Sequence, residues 1–386
     1  MVRRIAGWSR PNILAEAAPE AFAAAHKWLT ISGWLSHRFT GRYVDAAGSI
    51  AGVWPFDPKS ANWMPSPLPH KLLGFRPGTL PELVSAGDRL GLLTREAADT
   101  LGLEQGVPVI AVGGDKQAEA LGGGVVSDDP QLGGVSLGTG AAVYLAERRF
   151  HRSPLFHYLT NCAAEPGRWV NEYMVMRGFW MVSWFVRELA AEECRLAEER
   201  GTSPEAILSE RALEEVPAGS SGLILLPRFT AAPDAPGELG ALIGLGEQHG
   251  RLAIFRAILE GIAFDLRRGL ALLESATGRR ITSLRAGGGG THSRLALEAT
   301  AAIIGRPLEL GATRELSALG ASICAAAGLG WYPSWAEAAA AMTRVKSRVE
   351  PDPKLQRIYD PIYENAFSKA FARVRPITRW LAQHRA

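Results

Sequence analysis

The apolar positions change their spacing several times along the chain. Across residues 20–40 they recur at helical intervals, which predicts a helix stopped by Gly41. Seven prolines (55, 58, 65, 67, 69, 77 and 81) then make residues 53–82 loop-rich. At Thr94 a hydroxyl stands just before an Arg-Glu-Ala-Ala run. That predicts a short capped helix with Thr94 as N-cap and Ala97 at the third position, an incomplete capping box. Beyond Gly106 the texture shifts. Residues 107–112 are wholly apolar and predict a strand buried on both faces, with Pro108 near its start, where a strand tolerates proline best. Gly113, Gly114 and Asp115 follow, then a helical stretch over 116–121. Residues 133–137 and 141–145 read as two strands joined by Gly138-Thr139-Gly140, a hairpin signal. A further strand is expected at 222–227.

The second half is clearer. Residues 251–274 carry a wide apolar stripe through Ile254, Phe255, Ile258, Leu259, Ile262, Leu266 and Leu270, the strongest helix of the chain. A strand at 281–286 runs into four consecutive glycines, 287–290, and a helix over 293–304 follows at once. A strand at 306–310 and a small-residue helix at 316–327 complete the pattern. Strands alternating with helices predict an α/β architecture.

Composition narrows the function. With 386 residues the chain has room for two or three domains. Apolar residues make up 47% and charged residues 21%, enough to bury a core. The formal net charge is +3, with both signs interspersed and no concentrated basic block, so nucleic acid is not an expected partner. Cys162, Cys194 and Cys324 have neither CxxC nor Cys/His ligand spacing, so no zinc site or disulfide framework is expected and a reducing cytoplasm fits. No stretch reaches the ~18 apolar residues of a membrane span, and the N-terminal Arg3 and Arg4 lack the apolar run of a signal peptide.

Three constellations could carry chemistry. The strand, glycine run and helix at 281–304 give a backbone that can approach phosphate closely at a helix N-terminus, or simply a tight turn. Ser136-Leu-Gly-Thr-Gly can hold phosphate oxygens through the Thr139 hydroxyl and exposed N–H groups, or be an ordinary hairpin. Asp115, after a strand and two glycines, can be a general base or a helix N-cap.

Taken together and in order, these segments resemble the FGGY carbohydrate kinases. The 113–124 segment, GGDKQAEALGGG, is similar to that family's G-D-x-x-A-x-x-x-G stretch, and 136–140 to its second phosphate motif. Residues 256–264, RAILEGIAF, match its R-A-x-x-E-G helix. Gly288-Gly-Gly-Thr-His-Ser293 resembles its adenosine loop, and 315–322, ELSALGAS, its E-x-x-A-x-G-A-A helix. The likeness extends over residues 10–345, and its wording leans toward the uncharacterised sugar-kinase branches. The resemblance implies a ribonuclease H-like, actin-like ATPase fold. It implies the later part of a first, sugar-binding lobe over 1–126, a nucleotide-binding lobe over 127–345, and a helical tail over 346–386. It implies ATP and Mg²⁺, a sugar or polyol acceptor, and Asp115 as the base that takes the hydroxyl proton. Gly138, Thr139 and Gly140 would hold phosphate. Gly288, Gly289, Gly290, Ser293 and Glu315 would border the nucleotide, and Trp8 is a candidate sugar contact. The family's opening D-x-G-T-x-x-x-[RK] hairpin is not found, so the chain is expected to be N-terminally shortened, weakly active or inactive, with an exposed edge. The alternative is a non-catalytic remnant that binds nucleotide or a partner. A dinucleotide oxidoreductase is disfavoured because no GxGxxG opens a βαβ unit. A homo-oligomer is left open. Trp180 and Trp184, at i and i+4, read as helix packing, His292 as an exposed loop residue, and Cys324 as buried filler.

Overall fold

The computed structural model describes residues 6–153, 156–230 and 238–384. The reading of the N-terminal arginines falls on residues 1–5, outside the described residues. Residues 132–349 build one seven-stranded mixed sheet from β1 (Leu132–Leu137), β2 (Ala141–Glu147), β3 (Leu159–Cys162), β4 (Trp169–Val175), β5 (Ser283–Gly287), β6 (Leu308–Gly311) and β7 (Val345–Val349). Their spatial order is β7-β6-β5-β1-β2-β4-β3. β5 runs parallel to both β1 and β6, and the remaining pairs are antiparallel. The helices that serve this sheet are α1 (Asp115–Gly122), α2 (Trp180–Leu189), α3 (Pro204–Glu215), α4 (Arg251–Thr277), α5 (Arg294–Ile304), α6 (Leu316–Gly328), α7 (Pro353–Ile362) and α8 (Ser368–Gln383).

β1 and β2 are buried along their whole length, because both faces of the sheet are covered. On one face Val135, Leu137, Val143 and Leu145 pack against Phe255, Ile258, Ile262 and Leu266 of α4. On the other, Leu132, Tyr144, Ala146 and Val170 pack with Ala120 of α1. Glycine decides how closely α1 approaches its neighbour α6. A Cβ on Gly122 would lie 1.9 Å from the Leu316 carbonyl oxygen, and one on Gly320 1.8 Å from that of Ala118. The two backbones touch, and no larger side chain fits between them.

Helix α4 is fixed by ions as well as by its apolar stripe. Arg256 and Glu260 are buried and paired at 2.8 Å. Arg256 also donates to the Val216 carbonyl at 2.6 Å. Glu260 accepts from the Gly219 N–H, the Ser220 hydroxyl and the Tyr359 hydroxyl, at 3.1, 2.8 and 2.8 Å. One pair of side chains thus ties α4 to the turn at 216–220 and to α7. Phe264, Tyr359, Phe367 and Phe371 form a second apolar cluster, which seats α7 and α8 against α4 and α5. The expected helical tail therefore packs as part of this layer, and the expected boundary at 345 falls on the first residue of β7.

Residues 6–111 are built from short helices and two-stranded ribbons. The helix expected over 20–40 is two helices, Pro19–Ala24 and Ile31–Thr40, separated by an extended segment. The break is made by Asp45, a buried carboxylate that takes hydrogen bonds from Thr30 and Ser32. Thr30 also caps the second helix through the Gly33 N–H. The apolar run at 107–112 gives a strand only over Pro108–Ile110, half-buried and paired with Arg89–Leu92 in an isolated ribbon. It is not buried on both faces: Val109 packs into two small local clusters outside the main sheet, and Pro108 and Ile110 stay partly exposed. Thr94 caps the Arg95–Leu101 helix as expected, accepting from the Ala97 N–H. Among the described residues no helix is long and apolar enough to cross a membrane.

Removing one partner of a buried ion pair leaves the other charge uncompensated, at a cost of about 3–5 kcal/mol. Glu260→Ala should therefore lower the unfolding free energy by that amount in a denaturant titration. A loss below about 1 kcal/mol would mean that Arg256 finds other partners.

Candidate functional site

The hairpin Gly138-Thr139-Gly140 joins two buried strands, so its position is set by the sheet. Two N–H groups at the start of α2 fasten it: Phe179, its N-cap, donates to the Gly138 carbonyl at 3.2 Å and Trp180 to that of Thr139 at 3.3 Å. The glycine turn after β5 lies directly beneath. Gly288 has φ +87°, and a Cβ there would stand 2.7 Å from the Gly138 nitrogen. Gly290 supports the Phe179 ring so closely that a Cβ would fall 2.4 Å from it. Ser293 closes the turn by capping α5 through the Ala296 N–H, and its hydroxyl meets that of Ser209 on α3 at 2.9 Å.

These parts enclose a cleft of about 650 Å³. Phe179, Trp180, Val182, Phe255 and Leu259 give it an apolar side, and Thr139, Ser183, Ser203, Ser209 and Ser293 a polar one. The N-terminal ends of α2, α3 and α5 all border it. Helix N-termini carry a positive dipole end, so their convergence favours an anionic ligand. His292, on the rim, is engaged by Arg314, and Trp180 packs against Phe229 with the Arg177 guanidinium over its ring.

Asp115 lies outside this cleft, in the first turn of α1. The N-cap is Gly114 rather than Asp115, whose carboxylate is exposed and, among the described residues, accepts only from the following Lys116 N–H. Gly113, at φ +153°, brings the chain against Gly48, and Gly114 donates to the Gly48 carbonyl at 3.0 Å. The Ser317 hydroxyl of α6 binds the Asp115 carbonyl at 3.1 Å. Lys116 turns toward the sheet. Its Nζ lies 2.7 Å from Glu119 Oε2 and 2.6 Å from the Ser136 hydroxyl, and 3.9 Å from where a Cβ on Gly138 would stand.

Behind this pair is a buried polar group of Glu119, Tyr144 and Glu172. Each keeps one oxygen without a hydrogen-bond partner among the described residues. Burial pushes the Glu172 carboxyl up to about 7, the nearby Lys116 holds it down, and the Glu119 and Asp115 carboxylates add to the rise. Burial, then the charges of Glu119 and Glu172, pushes the Tyr144 hydroxyl well above its ordinary range.

Of the residues singled out in the sequence, the cleft gathers Gly138, Thr139, Gly289, Gly290 and Ser293. Gly140 completes the hairpin and Gly288 lies under it. Glu315 is exposed just before α6 and does not border the cleft. Trp8 is half exposed in the turn ahead of the Arg10–Ala17 helix and is also outside it. The wall from α3, with Thr202, Ser203, Glu205 and Ser209, was not foreseen. Thr-Ser-Pro at 202–204 signals a helix start, but nothing local tells which cavity that start will face.

This mixed sheet, flanked by helices and carrying its loops at one end, is the actin-like ATPase fold. Its solved neighbours include xylulose kinase from Rhodospirillum rubrum, which superposes with a TM-score of 0.79 at 26% identity over 97% of this chain and 72% of that one. The descriptions of the FGGY family of carbohydrate kinases match in both parts, the N-terminal domain over residues 12–122 and the C-terminal domain over 133–329. The chain belongs to the FGGY family of carbohydrate kinases. Curated relatives include an uncharacterized sugar kinase, YgcE, of Escherichia coli (strain K12), 29% identical over 88% of this chain and 68% of its own length. An autoinducer-2 kinase of Enterobacter sp. (strain 638) is 29% identical over 90% of this chain and 65% of its own. The chain thus spans about two thirds of the length of these relatives. The expected N-terminal shortening is not supported by the family matches, since both domains are present.

Burial of Glu172 predicts that the stability of the fold depends on pH. Its carboxyl is raised from an ordinary 4.5 to about 7, so its contribution to stability is fully present below 4.5 and is lost as pH rises through 7. Glu172→Gln should flatten the fall in unfolding free energy across that window. Identical pH slopes for the two proteins would show that Glu172 ionises normally.

Proposed function

We propose that the chain transfers the γ-phosphoryl group of ATP to a hydroxyl of a sugar or polyol. The observation that carries this reading is that Lys116 ties the first turn of α1, with its exposed Asp115, to Ser136 of β1, two residues ahead of a hairpin that lines a cleft bordered by three helix N-termini. In this reading the adenine lies against Phe179, Trp180 and Phe255. The phosphates follow Gly138, Thr139 and Gly140, and the ribose sits over Gly288, Gly289 and Gly290, with Ser293 nearby. Glu315, at the start of α6, borders the nucleotide's outer side. Asp115 accepts the proton of the acceptor hydroxyl. The oxygen attacks the γ-phosphorus, the bond to the β-phosphate oxygen breaks, and ADP leaves. Little covalent chemistry is asked of the protein, so positioning and charge neutralisation decide the rate.

Mg²⁺, bound mostly through the phosphates, would neutralise charge developing on them. In this reading the exposed Asp115 carboxylate could join its shell. Among the described residues no group of three or more His, Cys, Asp or Glu side chains could hold a metal ion. The acceptor is a small polyhydroxylated molecule, in keeping with the sugar kinases among the relatives, and Trp8 is a candidate contact for it. The three free cysteines and the need for ATP suit the cytoplasm.

Asp115→Asn should reduce sugar-dependent ADP release by about 10²–10⁴ while ATP affinity changes less than about threefold, since the exposed carboxylate is not part of the cleft. Coupled-enzyme assay and calorimetric titration read the two quantities. Equal activity of the variant and the parent chain would remove Asp115 from the mechanism. A parent chain that binds ATP without any sugar-dependent turnover would point to a binding role.

A further inference from the structure

We infer that Lys116 is a second catalytic group, a cation that contacts the terminal phosphates of the nucleotide; this rests on the kinase reading above. The residue follows Asp115 directly, yet its side chain runs away from solvent and ends beside the hairpin. An ammonium group has three donors. Two are taken, by Glu119 Oε2 at 2.7 Å and by the Ser136 hydroxyl at 2.6 Å. The third has no partner among the described residues. Nζ is within 3.9 Å of where a Gly138 side chain would begin, so the absence of that side chain opens the path from the ammonium to whatever the hairpin holds.

The charges around it argue the same way. Asp115 and Glu119 both act on Glu172, and Lys116 is the cation that holds the Glu172 carboxyl down. Three carboxyl groups around one ammonium would repel a triphosphate if that ammonium were absent. Ser136 is fully buried and Glu119 nearly so, which fixes the lysine head in place instead of leaving it to swing in solvent. A lysine that only stapled α1 to the sheet would need its two anchors. It would not need to end under a glycine at a loop whose own carbonyls are tied back by Phe179 and Trp180.

The test is calorimetric binding of adenylyl imidodiphosphate, ADP and adenosine to the intact chain and to Lys116→Gln, Lys116→Arg and Glu119→Gln. Lys116→Gln should weaken the triphosphate analogue by about 10- to 100-fold, the worth of one charged hydrogen bond, and leave adenosine unchanged. Lys116→Arg should restore most of the loss. Glu119→Gln removes a neighbouring negative charge but keeps an acceptor for Nζ, and should bind the analogue at least as tightly as the parent. Should Lys116→Gln fail to fold, Lys116→Arg and Glu119→Gln still decide the matter, because a purely structural ion pair requires Glu119→Gln to lose affinity. Parallel losses in Lys116→Gln and Glu119→Gln, or an unchanged analogue affinity in Lys116→Gln, would overturn the inference and leave the kinase reading standing. A parent chain that binds none of the three ligands would overturn both.

Discussion

The contact of α1 with α6 is the constraint on which the site depends. Because Gly122 and Gly320 let the two backbones touch, α1 lies at one depth over the sheet and begins at one place. Its first turn then points the Asp115 carboxylate outward and the Lys116 ammonium toward Ser136. Any side chain at the crossing would push the helices apart, and overpacking of this kind typically costs about 1–3 kcal/mol. The larger effect would be on geometry, since a shift of the helix carries both charged side chains with it. Gly122 and Gly320 are therefore steric requirements, and the chemistry rests on them at one remove.

A second set of motif residues turns out to hold the scaffold. Arg256 and Glu260 belong to a segment that resembles the family helix, yet neither borders the cleft. They serve α4, whose apolar stripe supports the sheet and whose Phe255 and Leu259 form part of the cleft wall. Gly261 in the same helix lets β-structure approach, for a Cβ there would stand 2.4 Å from the Leu225 carbonyl oxygen. Ser293 likewise acts first as a helix cap. Its place in the cleft follows from where that cap must be.

How much was legible in the sequence depended on the range of the interactions. The strands around Gly138, the helix over 251–277 and the strand–glycine–helix unit at 283–304 were readable because local patterning and tertiary packing agree there. The helix expected over 20–40 failed because Asp45, a residue outside the window, takes the Thr30 and Ser32 hydroxyls. The run at 107–112 failed because an apolar stretch looks alike whether it enters a central sheet or a two-stranded ribbon. At the site, glycines and Thr139 were readable as loop chemistry. Lys116, Glu119 and Glu172 were not, because their meaning comes from three separate elements meeting over 17 to 56 positions of chain. Cys324 is fully buried among small residues, as its neighbours suggested.

The loops at Gly138 and Gly288 leave the sheet from β1 and β5, adjacent parallel strands with Ser136 opposite Gly287. Their separation is therefore graduated by the ladder itself, about 4.8 Å from strand to strand. The two sides of the cradle share one ruler that no loop substitution can stretch. Sequence drift in these loops can change what the cradle is made of while its gauge is inherited from backbone pairing, which tolerates almost any side chain that keeps the strands together.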